Sequence, residues 1–216
     1  VTLIVRGEHL KKIQKQGLTL EKVWDKTEEN ISIPATDMEH YAEHPDVIFV
    51  CVKGYSLQET IPFIKRIARK NTIVIPVLNI YGTGGKMQKE LPDLLVTDGC
   101  IYVSANIKEP GKLLQHGQIL HIVFGVRDKA EFRPELKEIQ KDLCDSHIDG
   151  TLSENIRREA LEKFSYVSPI GAAGLYYHAT AADFQKEGEA RELFKTMVKE
   201  IAALAEAMEV PFQKDM

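Results

Sequence analysis

Short apolar runs alternate with amphipathic segments over the first hundred residues of the chain. Runs rich in Val, Ile and Leu occupy 1–5, 47–52 and 72–78, and segment 56–70 carries apolar side chains at helical spacing. Strands that are buried on both faces have this near-continuous apolar character, and an amphipathic helix between two of them indicates a parallel crossover. The pattern therefore predicts an α/β fold built on a parallel sheet.

A polar residue that can bind an anion or an amide follows each of the three apolar runs. These residues are Arg6, Lys53 and Asn79. Ligands bind in the crevice beyond the carboxyl ends of parallel strands, so all three side chains are expected near a ligand. Solvation explains one polar strand end well enough, but three in succession indicate a nucleotide site.

The hydrophobic pattern changes after about residue 98. Two β-rich runs surround Pro110–Gly111 and a second turn is predicted near Gly117, which together indicate an antiparallel meander at the edge of the sheet. Residues 18–45 show no clear period, so we expect them to be irregular apart from a small edge strand that ends at Pro34. A helical turn or two is predicted just before Pro45.

Helices are predicted from apolar stripes and from capping residues. Gly17 closes a short charged helix, and Ser56 with Glu59 forms a capping box at the start of another. Pro134 suits the beginning of a later helix, where a missing amide proton costs little. The last helix carries an apolar stripe, whose members are Leu193, Phe194, Met197, Val198, Ile201, Leu204, Ala205 and Met208.

The chain is long enough for one large domain or two modest ones. Its 216 residues are α/β in pattern up to about Gly150 and helical in character from Ser153. We therefore predict a boundary near Gly150, with an α/β domain at 1–150 and the start of a helical domain at 151–216. Helical second domains often dimerise, so a homodimer is retained as an alternative.

Charge and cysteine content limit the classes of partner. The formal net charge is -4, with acidic and basic residues interleaved, which argues against nucleic-acid binding. Cys51, Cys100 and Cys144 are widely spaced and odd in number, as expected for reduced thiols in a cytoplasmic protein, and Cys51 is predicted to pack in the core. No apolar run approaches the roughly 20 residues that span a bilayer, so no membrane partner is expected.

A zinc motif is formally present and is predicted to hold no metal. His40, Glu43 and His44 fit the H-x-x-E-H pattern, in which two imidazoles one helical turn apart share a zinc ion. Pro45 follows at once and leaves too little helix to hold the two ligands. We therefore expect no metal site here.

Lys163 lies on the apolar stripe of a predicted helix. It shares that stripe with Ile156, Ala160, Phe164 and Val167. The simpler interpretation is that its aliphatic stem covers apolar surface while the ammonium reaches water. The functional interpretation is a lysine held in a cleft as a proton donor, with a pKa lowered by desolvation or by neighbouring cations.

These segments follow one another in the order and spacing of a known family. The segments VIFVCVKGYSLQETI, VLNIYGTGG, SANIKEPGKLLQHGQILHIVFG and NIRREALEKF resemble the ketopantoate reductases, the NADPH-dependent 2-dehydropantoate 2-reductases. The similarity extends over nearly the whole chain. It implies a Rossmann-type NADP-binding domain followed by an all-helical domain, with a small-molecule 2-keto acid bound between them.

The resemblance also implies roles for individual residues. Arg6 matches the arginine that contacts the 2′-phosphate of NADP. Lys53 matches a lysine near the cofactor phosphates and the substrate, and Asn79 an asparagine near the nicotinamide ribose and the substrate. Lys163 matches the general acid that protonates the alkoxide formed when hydride reaches the C2 carbonyl. Lys53, Asn79 and Lys163 are thus the implied substrate-binding residues.

The chain departs from the family pattern in three ways. The opening strand and the GxGxxG turn are missing, and later family helices would lie beyond Met216, so the resemblance implies a fragment that binds cofactor poorly. Family asparagines four and eight residues after the lysine are replaced by Val167 and Gly171. Ser165, Tyr166 or Ser168 are alternative polar partners for the substrate.

Two other functions are therefore kept open. One is an NADP-dependent reductase of a different 2-keto acid, since fold similarity does not fix the reaction. The other is a redox-responsive protein that binds NADP(H) without turning over a substrate.

Overall fold

The computed structural model describes residues 1–212. The strands are β1 (Leu3–Ile4), β2 (Leu18–Lys22), β3 (Thr27–Ile31), β4 (Ala35–Thr36), β5 (Val47–Val50), β6 (Ile73–Pro76), β7 (Leu95–Val96), β8 (Asp98–Glu109), β9 (Lys112–Gly125) and β10 (Asp149–Leu152). The helices are α1 (Gly7–Gln16), α2 (Leu57–Ile67), α3 (Thr83–Glu90), α4 (Glu135–Asp145), α5 (Ile156–Tyr177) and α6 (Glu189–Ala207). The predicted α/β domain followed by helices is confirmed.

Two parallel sheets carry the polar strand ends that the sequence indicated. One sheet has the order β5-β6-β7, and in the other β1 pairs with β4. Helix α1 connects β1 towards β4, whereas α2 connects β5 to β6. The predicted parallel pairing is confirmed in both sheets.

Strand β6 places its side chains on both faces of the sheet. Ile73 and Ile75 pack with Phe124 and Leu136, while Val74 packs on the other face with Ile64 of α2. All four residues of β6 are buried. This explains the continuous apolar run, because a strand covered on both faces has no solvated side.

A long hairpin replaces the meander that was predicted at the edge of the sheet. Strands β8 and β9 pair antiparallel around Pro110–Gly111, and β9 also pairs with β2 and then with β10. The predicted turn at Gly117 is wrong: β9 runs on through it. From Ala105–Gln115 to Val103–Leu120 the register advances five positions along β9 and two along β8, so the extra residues form an irregularity inside the strand.

The expectation that residues 18–45 are irregular is also wrong. Strands β2 and β3 form an antiparallel hairpin whose register runs from Leu18–Ile31 to Lys22–Thr27. Every residue of β3 is exposed, so the strand carries no hydrophobic signal that a sequence pattern could reveal. Of the helical turn or two expected before Pro45, one turn forms at residues 38–40, with the Tyr41 nitrogen donating to the Asp37 oxygen.

The capping box that was predicted at the start of α2 does not form. Ser56 is the N-cap residue, but its side chain makes no capping hydrogen bond. A 3-10 turn at Gly54–Ser56 precedes the helix and leaves Ser56 buried with φ -97° and ψ 1°, which is not the extended cap conformation. The predicted apolar stripe is confirmed at Ile61 and Ile64, which are both buried.

Helices α5 and α6 pack against each other after the last strand of the sheet. Leu161 of α5 and Ala205 of α6 form a buried cluster with Val210, which follows α6. Strand β10, which contains Gly150, still pairs with β9, and α5 begins at Ile156. The domain boundary near Gly150 stays a prediction.

The cysteines differ in burial from what the sequence suggested. Cys51 directly follows β5 and is exposed, so the prediction of a core position was wrong. Cys100 is buried on β8 and packs with Val123 and Ile156. Cys144 is exposed. Because Cys51 and Val52 come after Val50, the apolar run at 47–52 extends past the end of β5.

Candidate functional site

A narrow crevice lies between the turn that follows β6, the beginning of β8 and one face of α5. Its lining is mostly apolar and includes one amide and one ammonium. The lining residues are Leu78, Asn79, Ile80, Tyr81, Gly99, Cys100, Ala160, Lys163, Phe164 and Val167. The enclosed free volume is only about 10 Å³, room for roughly one water molecule, so a larger ligand has to widen the crevice.

Lys163 is buried in this crevice. It is 8 % exposed, and its ammonium donates a hydrogen bond to the carbonyl oxygen of Ile101. The ammonium also lies over the ring of Tyr102, with Nζ 4.3 Å from the ring centroid. Desolvation lowers the pKa of Lys163. The simpler sequence interpretation, a lysine that extends into water, is wrong.

The turn that carries Asn79 is fixed by a buried carboxylate. Asp98 is 7 % exposed and accepts a 2.8 Å hydrogen bond from the backbone nitrogen of Gly84, in the first turn of α3. A Cβ atom on Gly84 would lie 2.0 Å from the oxygen of Thr97, so only glycine allows this approach. Asn79 itself is exposed and lines the crevice five residues before Gly84.

The turn that carries Lys53 lies beside the Asn79 turn. A Cβ atom on Gly54 would lie 2.4 Å from Cδ1 of Ile80, which shows how closely the two turns approach. Lys53 is exposed, and its backbone oxygen accepts a 2.9 Å hydrogen bond from the nitrogen of Ser56. The backbone of Lys53 therefore lies beside the Asn79 turn, and its exposed side chain stays accessible to a ligand.

Arg6 lies at the start of α1, after β1. Its guanidinium is 3.3 Å from a carboxylate oxygen of Glu59, and the two side chains are 74 % and 56 % exposed. An exposed ion pair of this kind contributes about 0–1 kcal/mol, so an anionic ligand can displace Glu59 easily. The contact also shows that the ends of β1 and β5 open on the same side, because Glu59 lies in the first turn of α2.

The four residues singled out by the sequence occupy three places along one edge of the molecule. Asn79 and Lys163 line the crevice together. Lys53 lies next to the Asn79 turn, and Arg6 lies further along the same edge, beside Glu59. Arg6, Lys53 and Asn79 form the rim of the site, where an anionic ligand can bind. Lys163 lies inside and can offer a desolvated ammonium to a polar group.

Sequence reasoning missed the contacts of Lys163 with β8. Cys100 and Tyr102 alternate along β8 and so point to the same face, towards α5. Burial raises the pKa of the Cys100 thiol to about 11, and it also raises the pKa of the Tyr102 hydroxyl. The only available signal was the two-residue spacing, which does not reveal which helix packs there.

The departures from the family pattern have different environments. Val167 lines the crevice, whereas a Cβ atom on Gly171 would touch nothing within 4 Å. The Ser165 hydroxyl donates to the backbone oxygen of Glu162 in its own helix, so it is already used. Tyr166 is exposed and packs edge-on against Phe194 of α6. Neither Ser165 nor Tyr166 replaces an amide in the crevice.

The histidines of the H-x-x-E-H pattern have other partners. His40 Nδ1 lies 2.7 Å from Oδ1 of Asp37, and His44 Nδ1 lies 2.8 Å from the backbone oxygen of Ile67. Among residues 1–212 there is no group of three His, Cys, Asp or Glu side chains suited to a metal ion. In the same range, none of the helices combines the length and apolar character needed to cross a membrane.

Comparison with known families identifies the chain. The family model for "Ketopantoate reductase PanE/ApbA" matches residues 1–129, and the model for the C-terminal part of the same family matches residues 155–216. The chain belongs to the ketopantoate reductase family. The predicted resemblance is confirmed, and the Rossmann-type fold with a helical second part agrees with it.

Individual ketopantoate reductases are distant and longer. The 2-dehydropantoate 2-reductase of Aquifex aeolicus is 20 % identical over 96 % of this chain and 65 % of the relative. That of Pyrococcus horikoshii is 29 % identical over 80 % of this chain and 55 % of the relative. The chain thus spans somewhat more than half to about two thirds of these relatives.

Solved structures with similarly low sequence identity support the fold. A 2-dehydropantoate 2-reductase from Porphyromonas gingivalis W83 superposes with a TM-score of 0.85 at 23 % identity, covering 100 % of this chain and 74 % of that one. A D-mandelate dehydrogenase solved with NADH and anilino(oxo)acetate also gives a TM-score of 0.85, at 19 % identity, covering 99 % and 68 %. The fold therefore occurs with more than one activity in the relatives.

Proposed function

We propose that this chain provides cofactor and substrate binding in an NADPH-dependent 2-dehydropantoate 2-reductase. The observation that carries the proposal is the crevice shared by Asn79 and Lys163, where a buried ammonium lies at the carboxyl edge of the parallel sheet. Membership of the ketopantoate reductase family supports it. The reaction converts the C2 carbonyl of 2-dehydropantoate to the hydroxyl of pantoate.

The rim residues suit a dinucleotide that carries an additional phosphate. Arg6 is the N-cap residue of α1, so a guanidinium group and a helix N-terminus belong to the same short segment. Guanidinium groups and helix N-termini both favour phosphate. Arg6 would hold the 2′-phosphate of NADP, Lys53 the phosphates nearer the substrate, and Asn79 the nicotinamide ribose. When bound, the reduced nicotinamide supplies hydride to C2 of the keto acid.

Lys163 supplies the proton in this mechanism. Negative charge develops on the carbonyl oxygen as the C–O π bond breaks, and a buried ammonium stabilises that charge more strongly than water does. The proton then passes from Nζ to the oxygen, which leaves a neutral amine and an alcohol. The lowered pKa of Lys163 favours this transfer, because a general acid works best with a pKa near the working pH.

Lys53 and Asn79 orient the keto acid. The Lys53 ammonium is exposed next to the Asn79 turn and can pair with the substrate carboxylate. The Asn79 amide can donate to the carbonyl oxygen or the carboxylate from within the crevice. Contacts from both residues, together with Lys163, would hold the reacting carbonyl in one orientation.

The test is NADPH oxidation by the full-length protein with 2-dehydropantoate and a panel of other 2-keto acids, for wild type and Lys163→Ala. Turnover of 2-dehydropantoate that collapses in the variant supports both the substrate and the acid. Turnover confined to another keto acid keeps the mechanism and changes the substrate. Tight NADPH binding without any turnover favours the redox-responsive binding protein.

An apolar 2-keto acid is the second candidate substrate, and one observation favours it. Ala160, Phe164 and Val167 form an apolar wall on α5, opposite Ile80 and Tyr81. A hydroxyl group on the substrate that faced this wall would lose its hydrogen bonds to water and gain none. A branched or aromatic side chain would suit the wall better.

A pair of substrates that differ by one hydroxyl separates the two candidates. The first is 2-dehydropantoate, and the second is 3,3-dimethyl-2-oxobutanoate, which has the same skeleton without the hydroxyl. If the apolar wall faces the substrate, Val167→Asn shifts the ratio of kcat/KM towards 2-dehydropantoate by about 10-fold or more. The matched control Ala172→Asn, on an exposed position of α5, leaves the ratio unchanged. An equal ratio in Val167→Asn and wild type argues against the wall as a substrate contact.

A further inference from the structure

The environment of the Lys163 ammonium comes from one strand. The carbonyl of Ile101 and the ring of Tyr102 are adjacent on β8, and both contact Nζ. At 4.3 Å from the centroid, the ammonium is well within the range of about 6 Å in which the negative face of an aromatic ring attracts a cation. Such an attraction is strongest where water is excluded; Lys163 is buried, while the Tyr102 side of the contact is 37 % exposed.

The ring of Tyr102 is itself held by a row of residues across the sheet. His121 of β9 is the register partner of Tyr102, and their ring centroids are 5.5 Å apart. Asp149 of β10 is in turn the register partner of His121. His121 Nδ1 lies 2.7 Å from Oδ2 of Asp149, although the angle is not that of a hydrogen bond. The row restricts the positions open to the ring that Lys163 contacts.

We propose that Tyr102 is a positioning residue for Lys163. Its ring face, together with the Ile101 carbonyl, holds the ammonium in its protonated form at the crevice. The catalytic consequence rests on the proposed function, in which Lys163 is the general acid. The contact between ring and ammonium does not depend on any substrate.

Two opposing effects act on the pKa of Lys163. Burial lowers the pKa, because the charged form loses its hydration. The ring and the carbonyl attract the charged form and so limit that decrease. Without them, a buried lysine would lose its proton at lower pH and could no longer act as an acid there.

Several ionisable groups surround this contact and bear on its pH dependence. They are Cys100 and Tyr102 on β8, His121 on β9, Asp149 on β10, Tyr81 after β6, and Glu159 and Glu162 on α5. The hydroxyl of Tyr102 and the thiol of Cys100 stay protonated at neutral pH, because burial raises the pKa of both. Neither group therefore adds negative charge beside Lys163 at neutral pH, whereas a Cys100 thiolate formed at higher pH would raise the pKa of Lys163.

Three substitutions separate the ring from the hydroxyl. Tyr102→Phe keeps the ring face and removes only the hydroxyl, so the pKa of Lys163 should match wild type. Tyr102→Leu removes the ring, and the pKa of Lys163 should fall by about one pH unit. His121→Ala leaves the ring in place but frees its orientation, so it should give a smaller decrease of the same sign.

The first measurement is the pH dependence of acylation at Lys163 in the full-length protein, read by mass spectrometry of the peptide that contains it. Only the neutral amine reacts, so the midpoint reports the pKa. An unchanged midpoint in Tyr102→Leu overturns the proposal. A decrease in Tyr102→Phe equal to that in Tyr102→Leu assigns the effect to the hydroxyl and also overturns it.

A second series covers the case in which Tyr102→Leu does not fold. Phenylalanine at position 102 with one, two or three fluorine atoms keeps the shape of the ring and progressively weakens its negative face. The Lys163 midpoint should fall with each fluorine, and a constant midpoint contradicts the proposal.

The effect of Tyr102 on catalysis is measured separately, by the pH dependence of kcat/KM. Activity that needs the protonated amine falls as the pH rises through the Lys163 pKa, so the basic limb of the kcat/KM profile should move to lower pH by the same amount as the acylation midpoint. If no keto acid is reduced at all, the proposed function fails while the acylation midpoints still decide the role of Tyr102. If turnover occurs and only the basic limb stays fixed, Lys163 is not the acid that the limb reports.

Discussion

The interior of the site and its rim are built in opposite ways. Lys163 is 8 % exposed and is held by Ile101 and Tyr102, whereas Arg6 and Lys53 are exposed. A proton donor needs one geometry and a pKa near its working pH, which burial and fixed contacts provide. A residue that captures a charged ligand from solution must be accessible before the ligand arrives. The difference in exposure therefore distinguishes a group suited to chemistry from groups suited to recognition.

Replacing Lys163 by Met should separate activity from stability most strongly. We expect kcat with a 2-keto acid to fall by about 10²–10⁴-fold, the contribution of a positioned acid. The free energy of unfolding should stay the same or rise, because an apolar chain of similar length replaces a buried charge. Steady-state kinetics and urea denaturation measure the two effects. Lys199→Met, on an exposed position of α6, is the control and should change neither. Loss of stability with full turnover would assign Lys163 to packing.

Asp98→Ala tests the buried carboxylate that fixes the turn carrying Asn79. Its carboxylate accepts from Gly84 N at 2.8 Å and lies 3.6 Å from Nη1 of Arg127, and it is 7 % exposed. Removing one partner of a buried pair leaves the other charge uncompensated, so we expect a loss of about 3 kcal/mol in the free energy of unfolding. Urea denaturation measures it, with the exposed Asp93→Ala as the control. A loss no larger than in Asp93→Ala would mean that Arg127 is solvated without its partner.

Arg6→Ala should affect recognition and leave the fold intact. Hydrogen bonds to charged groups contribute about 1.5–3 kcal/mol, so KM for NADPH should rise by roughly 10- to 100-fold while KM for NADH stays constant. The free energy of unfolding should change by less than about 1 kcal/mol, because the ion pair with Glu59 is exposed. Kinetics with both cofactors measure the discrimination. Glu59→Gln removes the same ion pair and keeps the guanidinium, so it should not raise KM for NADPH. A parallel rise with both cofactors would contradict contact with the 2′-phosphate.

The rim could be predicted from the sequence because its residues are fixed by local pattern. Lys53 and Asn79 follow adjacent parallel strands of one sheet, and such strands end at the same edge, whereas Arg6 follows β1 of a separate two-stranded sheet. The hairpin of β2 and β3 could not be predicted, since β3 is exposed throughout. The long β9 was divided at Gly117 because an irregularity inside a strand resembles a turn in sequence.

The interior of the site could be predicted only in part. The helical spacing of Lys163 indicated that it faced inward, but the alternative of a solvated ammonium had the same spacing. Its burial depends on how α5 packs on β8, which brings Tyr102 and Lys163 together from distant parts of the chain. Contacts between residues that are distant in sequence leave no sign in the local spacing of apolar residues. The family resemblance indicated Lys163 itself but none of the groups that hold it.

Gly171→Ala should have the smallest effect. It tests the stability of helix α5 separately from the crevice that this helix lines. Gly171 is exposed in the interior of α5, and a Cβ atom there would meet nothing within 4 Å. Alanine restricts the unfolded chain more than glycine does, so the free energy of unfolding should rise by up to about 1 kcal/mol. The kinetic constants should stay unchanged, because Val167, one turn earlier, is the residue that lines the crevice. Urea denaturation and kinetics on the same preparation test both statements. A change in KM without a change in stability would extend the substrate contact along α5 beyond Val167.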